Sequence, residues 1–151
     1  MIPPSLDFRL GHAMSRVKTI MIVDDDADDR EIFIEALKEV DPSIKCLICF
    51  DGEDALQYIK SRNAVIPDMI FLDLNMPRLN GMQCLAEIRK MKKLDHIPIV
   101  IYSTNNNDTQ KSRAIREGAA YYITKPVYFH DICKAIRLAM EEVAEKNIQL
   151  L

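Results

Sequence analysis

The sequence lacks the excess of positive charge that attracts nucleic acid phosphates. Its 151 residues include 20 Lys and Arg against 23 Asp and Glu, which gives a formal net charge of −3 and a pI near 5.6. It also lacks a helix-turn-helix or zinc-finger pattern. Both absences argue against a protein that binds nucleic acid directly.

Long apolar runs are absent as well. Runs such as "MIFL" at residues 69–72 and "IPIVIY" at residues 97–102 are the size of a strand, well short of the ~20 residues that span a bilayer. The N-terminus has no apolar stretch of the kind that directs secretion. We therefore expect a cytoplasmic protein with no membrane contact. The length and the 48% hydrophobic content fit one compact domain.

Cysteine is scarce, with four residues in the chain. Cys46 and Cys49 form a C-x-x-C, but they lie in the strand-like run "IKCLICF" at residues 44–50. Positions three apart in a strand face opposite sides of a sheet, whereas the redox form of this motif opens a helix. We predict buried free thiols.

Apolar runs of strand length alternate with segments of helical periodicity. Phe33, Ala36, Leu37 and Val40, for example, have the i, i+3, i+4, i+7 spacing of a buried helix face. Unbroken apolar runs are typical of strands covered on both faces, and parallel strands need helical crossovers. The pattern predicts a doubly wound α/β fold with a parallel sheet. The five predicted strands lie at residues 18–23, 44–50, 69–73, 98–103 and 120–124.

The two ends of the chain fall outside this alternation. Residues 1–17 carry no periodic pattern, and Pro3 next to Pro4 argues against an opening helix. We expect a mobile N-terminal extension over 1–17, a folded domain over 18–145 and a C-terminal tail over 146–151. Met14 is an alternative biological start.

Polar side chains follow four of the predicted strands at the point where each strand ends. In chain order they are Asp24, Asp25 and Asp26, then Asp73, then Ser103 and Thr104, and finally Lys125. Ligands of open parallel sheets bind at this carboxyl edge. Carboxylates with a backbone carbonyl suit Mg²⁺, which keeps a position for a phosphoryl oxygen. One carboxylate could then attack phosphorus while the metal, the hydroxyl and the ammonium neutralise the developing charge.

Four motifs in this order resemble the receiver domain of bacterial two-component response regulators. They are "VDDD" (23–26), "FLDLNMPRLNG" (71–81), "IYST" (101–104) and "YYITKP" (121–126). The resemblance covers about residues 18–143 and implies a flavodoxin-like sheet of five parallel strands in the order 2-1-3-4-5, with five helices. It extends to short single-domain regulators of the chemotaxis type, including those that are paired with bacterial phytochromes.

The resemblance also implies roles for individual residues. Asp73 corresponds to the phosphorylated residue, and Asp24 and Asp25 correspond to the acidic pair that binds Mg²⁺. Asp25 is the more direct ligand of the two, while Asp24 acts largely through water. The backbone carbonyl of Asn75 completes the metal site.

Three further positions complete the implied site. Ser103 takes the place of the family's switch hydroxyl, and Tyr122 that of the aromatic residue that turns inward with it. Lys125 corresponds to the invariant lysine. On the resemblance alone, we also expect a cis peptide bond between Lys125 and Pro126.

The function that follows is a stand-alone phosphorylation switch. A sensor histidine kinase or a histidine phosphotransfer protein would donate the phosphoryl group, and the receiver would catalyse its own phosphorylation and later dephosphorylation. Because the chain ends soon after the fifth helix, we expect output through a protein contact: a kinase partner, a phosphorelay member, another target, or a homodimer through the fourth helix, fifth strand and fifth helix. That surface would carry Arg113, Arg116, Lys134 and Arg137.

Several alternatives fit part of the pattern. Asp26, Asp28 and Asp29 can be explained as negative charge and caps at a helix N-terminus. An EF-hand loop starting at Asp24 is disfavoured, because position 6 is an Asp instead of Gly and a strand precedes it. A haloacid-dehalogenase-type phosphatase would place its nucleophile on the first strand. A pseudo-receiver that serves as a constitutive interaction module remains the alternative function.

Overall fold

The computed structural model describes residues 17–149, with the side chains up to residue 144. The strands are β1 (Thr19–Val23), β2 (Lys45–Cys49), β3 (Met69–Leu72), β4 (Ile99–Ser103) and β5 (Tyr121–Thr124). The helices are α1 (Ala27–Val40), α2 (Gly52–Lys60), α3 (Gly81–Arg89), α4 (Asp108–Arg116) and α5 (Phe129–Gln149), with a 3-10 turn at Lys92–Leu94. Strand and helix alternate along the whole described chain.

All five strands are parallel and lie in the order β2-β1-β3-β4-β5. Strand β1 lies inside the sheet, where Ile20 is in register with Cys46 on one side and with Met69 on the other. The chain reverses direction of winding between β2 and β3, which places a crevice at the carboxyl edge beside β1 and β3. The predicted fold class, strand order and number of helices are confirmed.

Each face of the sheet has its own core. On one face, α1 and α5 cover Phe71 and Tyr102 of the sheet. The ring of Phe33 in α1 lies 4.9 Å from that of Phe71 and 5.5 Å from that of Tyr102 between centroids. On the other face, α2, α3 and α4 cover residues such as Met21 and Ile70. Burial on both faces explains the unbroken apolar runs of the central strands.

Polar side chains fix where four of the helices begin. The carboxylate of Asp26 accepts from the backbone N–H of Asp29 at the start of α1. The carboxylate of Asp51 accepts from the backbone N–H of Asp54 at the start of α2. Asn80 and Gln83 form a reciprocal capping box at α3. Asn107 caps α4. The predicted capping role is confirmed for Asp26.

The four cysteines are free thiols, as predicted. Three of them are buried, and Cys46, on the edge strand β2, is half-buried. Burial raises the pKa of Cys46 to about 11 and that of Cys49 to about 12. Both thiols are therefore held in the unreactive protonated form.

One expectation differs from the structure. Within residues 17–149 every peptide bond is trans, so the expected cis bond before Pro126 is wrong. It rested on resemblance alone, and the trans form of an X-Pro bond is favoured by ~0.5–1 kcal/mol. Helix α5 ends at Gln149, and the domain boundary at residue 145 stays a prediction.

The N-terminal boundary and the cellular location stay predictions. The mobile extension was predicted over residues 1–17, and residues 1–16 of it lie outside the described residues. In the part of the chain that the structure describes, no helix is both long and apolar enough to cross a membrane. The cytoplasmic location stays a prediction.

Candidate functional site

The carboxyl edge of the sheet brings together side chains that are distant in sequence. Backbone bonds continue the strand ladders for one residue beyond the strands: Asp24 N–H donates to the carbonyl of Cys49 (3.2 Å), and Asp73 N–H donates to that of Val23 (3.0 Å). Lys125 N–H donates to the carbonyl of Ser103 at 2.8 Å. These bonds fix where the three charged side chains leave the sheet.

Three carboxylates form a cluster at this edge. Asp24, Asp25 and Asp73 each offer an oxygen atom, and these atoms all lie within 4.8 Å of one another. Asp24 is 0% exposed and Asp73 is 5% exposed, whereas Asp25 is exposed. Oxygen ligands open to solvent on one side are the donor set of Mg²⁺, which keeps several waters. These residues could therefore hold a divalent cation.

The buried carboxylates are held in an unfavourable ionised state. Burial raises the pKa of Asp24 above its usual value, against the opposing effect of its hydrogen bond to Lys125. Burial likewise raises the pKa of Asp73 to about 6; the Lys125 charge opposes this rise, and the Asp24 charge adds to it. A bound cation would relieve both the desolvation and the repulsion.

Lys125 lies inside the same cluster and is 8% exposed. Its Nζ is 2.7 Å from an oxygen of Asp24, 2.8 Å from one of Asp29, and 3.6 Å from one of Asp73. Burial alone would lower the pKa of Lys125, but the bonds to Asp24 and Asp29 outweigh it and raise that pKa above the usual range. The ammonium is thus permanently charged.

The contact of Asp29 with Lys125 was missed by the sequence analysis, which explained Asp29 by the N-terminus of α1 alone. Asp29 does lie in the first turn of that helix. The sequence did offer a sign that Asp29 could contact the site. It is five positions after Asp24, in the first turn of the helix that follows β1, and residues of that turn can lie above the end of the strand. Sequence alone, however, does not say which of Asp26, Asp28 and Asp29 faces the sheet.

Ser103 and Tyr122 belong to one hydrogen-bonded group beside the cluster. The Ser103 hydroxyl is buried and accepts from Asn75 Nδ2 at 3.3 Å and from the Asn105 N–H at 3.2 Å. Tyr122 is half-buried, and its hydroxyl donates to the Asn105 carbonyl at 2.7 Å. Burial raises the pKa of Tyr122. The two predicted switch residues are therefore joined through the loop that follows β4.

The loop from β3 to α3 passes close to Asp73. A Cβ at Gly81 would lie 2.2 Å from the Asp73 carbonyl oxygen, so only glycine fits. Arg78 has a left-handed backbone with φ 62° and pairs with Asp51 at 2.6 Å. Asn75, in the same loop, donates its N–H to Asp73 Oδ1 at 3.3 Å. The loop is thus fixed at both ends beside the carboxylate.

The family model described as the response regulator receiver domain matches residues 20–137. The chain belongs to this family. The resemblance that the four motifs carry is confirmed. Receiver domains bind Mg²⁺ at an acidic pocket and interact with histidine kinases and phosphotransfer proteins, and this receiver has an acidic cluster of Asp24, Asp25 and Asp73.

Curated relatives include response regulators from bacteria and plants. The receiver is 29% identical over 124 residues to response regulator Rcp1 of Synechocystis, covering 80% of this chain and 84% of that protein. It is 31% identical over 115 residues to response regulator ORR11 of Oryza sativa, covering 76% of each. The match to sensor histidine kinase CheAY of Helicobacter pylori, 31% identical, spans 71% of this chain but 13% of that kinase.

Solved structures show the same fold. The Mn²⁺-bound form of Rcp1 superposes with a TM-score of 0.72 at 29% identity, covering 80% of this chain and 89% of that one. The phosphorylated cyanobacterial phytochrome response regulator RcpA superposes with a TM-score of 0.75 at 30% identity, covering 82% and 91%. The first of these two structures holds Mn²⁺, and the second is of a phosphorylated protein.

Proposed function

We propose that this receiver is a phosphorylation switch in which Asp73 accepts a phosphoryl group from a phosphohistidine. The observation that carries the proposal is the buried arrangement of Asp73 with a second carboxylate, an ammonium and a hydroxyl at one sheet edge. Its relatives include a phosphorylated response regulator of the same fold. A carboxylate surrounded by fixed charges is suited to accept a phosphoryl group.

The metal of this reaction would be Mg²⁺. Asp25, Asp73 and the backbone carbonyl of Asn75 would hold it, with Asp24 acting largely through water. The fit rests on carboxylate oxygens within 4.8 Å of one another, on two of those carboxylates being buried, and on the raised pKa of Asp73. When bound, the ion supplies positive charge that stabilises the oxygens of the transferring phosphoryl group.

The remaining steps use side chains of the receiver itself. One carboxylate oxygen of Asp73 attacks phosphorus, the P–N bond of the donor breaks, and its electron pair stays on the imidazole nitrogen. Lys125 and Ser103 donate to the phosphoryl oxygens. Later, water attacks the phosphorus of the acyl phosphate, the bond to Asp73 breaks, and inorganic phosphate leaves.

The switch would follow from the group around Ser103. When its hydroxyl turns to the phosphoryl group, the bonds it accepts from Asn75 and Asn105 change, and Asn105 in turn accepts from Tyr122. The loop before α4 and the strand β5 then share one rearrangement. This biases a two-state equilibrium of α4, β5 and α5.

The donor would be a sensor histidine kinase or a histidine phosphotransfer protein. Three exposed apolar residues follow Lys125 and Pro126 in the chain. Val127 is 88% exposed, Tyr128 is 72% exposed and Phe129 is 44% exposed. An exposed apolar group of this kind next to the phosphorylation site is suited to contact the donor.

Output would use the exposed face of α4, β5 and α5. The four basic side chains predicted for it, Arg113, Arg116, Lys134 and Arg137, are all exposed. Arg113 pairs with Glu117 at 2.9 Å, and the other three basic side chains suit an acidic target. The exposed apolar residues Ile115 and Leu138 of the same helices suit a homodimer. Such a homodimer would form on phosphorylation.

The test is intact mass after incubation with acetyl phosphate and Mg²⁺, with Asp73→Asn as the matched variant. We expect one phosphoryl adduct on the wild-type protein, none when EDTA replaces Mg²⁺, and none on the variant. An absence of adduct with both acetyl phosphate and phosphoramidate would contradict the switch and favour a pseudo-receiver that acts through its surface alone.

A further inference from the structure

We propose that Asp29 is a positioning residue that holds the Lys125 ammonium away from Asp73 and thereby weakens the binding of a phosphoryl group until the switch occurs. This inference rests on the function proposed above and adds a residue that opposes it. Asp29 touches neither phosphorus nor the metal in this account. It acts through Lys125.

The first support is the placement of the ammonium. Lys125 Nζ is 2.8 Å from an Asp29 oxygen but 3.6 Å from the nearest Asp73 oxygen. An ammonium has three N–H donors, and here two of them are directed to Asp24 and Asp29. The side chain is 8% exposed, so water contributes little to its solvation. Asp29 therefore supplies a large part of what holds the ammonium in this position.

The second support is that the position of Asp29 is fixed from the helix. Its backbone N–H donates to Asp26 Oδ1 at 3.0 Å, which caps the first turn of α1. The neighbouring Arg30 donates from Nη1 to the Asp24 carbonyl at 2.8 Å and ties the same turn to the end of β1. The backbone of Asp29 is thus already ordered, and only its short side chain has to be fixed for the contact with Lys125, which lowers the entropy cost of that contact.

The third support is the difference between the two acceptors of Lys125. Asp24 is fully buried, so it would remain as an unpaired charge without water if the ammonium left it. The Asp29 side chain is 38% exposed, and water can replace the ammonium there. When a phosphoryl oxygen at Asp73 competes for Lys125, Asp29 is consequently the partner that is released.

The consequence is a competition between Asp29 and the phosphoryl group for one ammonium. Asp29→Asn keeps the shape of the side chain but leaves a neutral acceptor, which binds an ammonium more weakly. Less free energy is then needed to separate the Lys125 ammonium from residue 29 when it binds the phosphoryl group. We expect the variant to bind a phosphoryl analogue about 5-fold more tightly than wild type, by the usual strength of a charged hydrogen bond.

A matched control separates this contact from general charge. Asp28→Asn removes the same charge from the same turn of α1, and Asp28 is exposed. Both variants remove one negative charge, so both reduce the general repulsion of the anionic phosphoryl analogue, an effect that salt screens. We expect Asp28→Asn to change analogue binding by less than about 2-fold, as for an exposed charge.

The experiment is a calorimetric titration of the full chain with beryllofluoride, which mimics the phosphoryl group, at a Mg²⁺ concentration that saturates each variant. A second readout is the NMR chemical shift of the Lys125 side chain in the metal-free protein, which should change in Asp29→Asn, where the 2.8 Å contact is weakened, and stay unchanged in Asp28→Asn. Asp29→Ala, which removes the acceptor entirely, repeats the test. Thermal unfolding of each variant shows that it is folded.

The outcomes are distinct. Tighter binding in Asp29→Asn alone, with a changed chemical shift of the Lys125 side chain, is the expected result. Equal or weaker binding in that variant, with normal binding in wild type, overturns the inference and leaves the proposed function intact. If wild type binds Mg²⁺ but no beryllofluoride, the proposed function fails, and the inference fails with it.

Discussion

Removal of the Asp73 charge should stabilise the protein in the absence of metal. Asp73 is 5% exposed and lies among other carboxylates, and its pKa is raised to about 6. A carboxyl group with a raised pKa in the folded state destabilises that state whenever it is ionised. Asp73→Asn keeps an oxygen that can accept from the Asn75 N–H and removes this ionisation.

The magnitude follows from the pKa. A rise from the usual 3.8 to about 6 is about two units, and each unit corresponds to ~1.4 kcal/mol. At neutral pH the variant should therefore gain about 1–3 kcal/mol in the free energy of unfolding. For a chain of this length, that gain corresponds to roughly 3–10 °C in Tm.

The stabilisation by Asp73→Asn should also depend on pH in a defined direction. The penalty is complete above about pH 6, where the folded protein has lost the proton, and disappears as pH falls toward the unfolded-state value. The gain from Asp73→Asn should shrink to about one third at about pH 4.5. Conversely, Mg²⁺ should stabilise wild type more than the variant, since it binds the folded state of wild type more tightly.

The assay is urea unfolding followed by circular dichroism with EDTA, at neutral and acidic pH. Asp28→Asn is the control, because it neutralises an exposed carboxylate outside the cluster and should stay within about 0.5 kcal/mol of wild type. A destabilised Asp73→Asn at neutral pH, or a gain that persists at low pH, would refute the electrostatic description of the cluster.

Three further substitutions test the geometry around the cluster. Gly81→Ala should cost at least about 3 kcal/mol and weaken Mg²⁺ binding, because the new Cβ would lie 2.2 Å from the Asp73 carbonyl oxygen; thermal unfolding and a Mg²⁺ titration measure both. Arg78→Gly should be about 1 kcal/mol more stable than Arg78→Ala in urea unfolding, since both lose the ion pair and only Gly accepts φ 62° freely. Tyr122→Phe should lose about 1 kcal/mol with the bond to the Asn105 carbonyl, and equal unfolding curves would contradict that bond's role.

Much of the fold follows from patterns that depend on local sequence. The apolar run around Phe71 and the helical spacing from Phe33 both predict elements that the structure contains, because burial on one or both faces leaves a periodic trace. The placement of Asp73 and Lys125 at one edge follows from parallel strands alone. The strand order itself came from the family resemblance.

Other features depend on contacts that leave no periodic trace. The bond of Asp29 to Lys125 joins residues 96 positions apart, and it depends on how α1 is rotated above the sheet. The left-handed conformation of Arg78 is unexpected from its residue type. The cis bond expected before Pro126 was an error of the opposite kind. It was expected from the family resemblance without support from the local sequence, and the structure has a trans bond there.

The proposed switch requires that Asp73 carries an acyl phosphate. Reduction with borohydride after incubation with acetyl phosphate and Mg²⁺ converts a phosphorylated Asp to homoserine, and peptide mapping by mass spectrometry then locates it. We expect homoserine at position 73, dependent on Mg²⁺, with Asp24 and Asp25 unchanged. Homoserine at another Asp, or none in a sample that shows a phosphoryl adduct by intact mass, would contradict it.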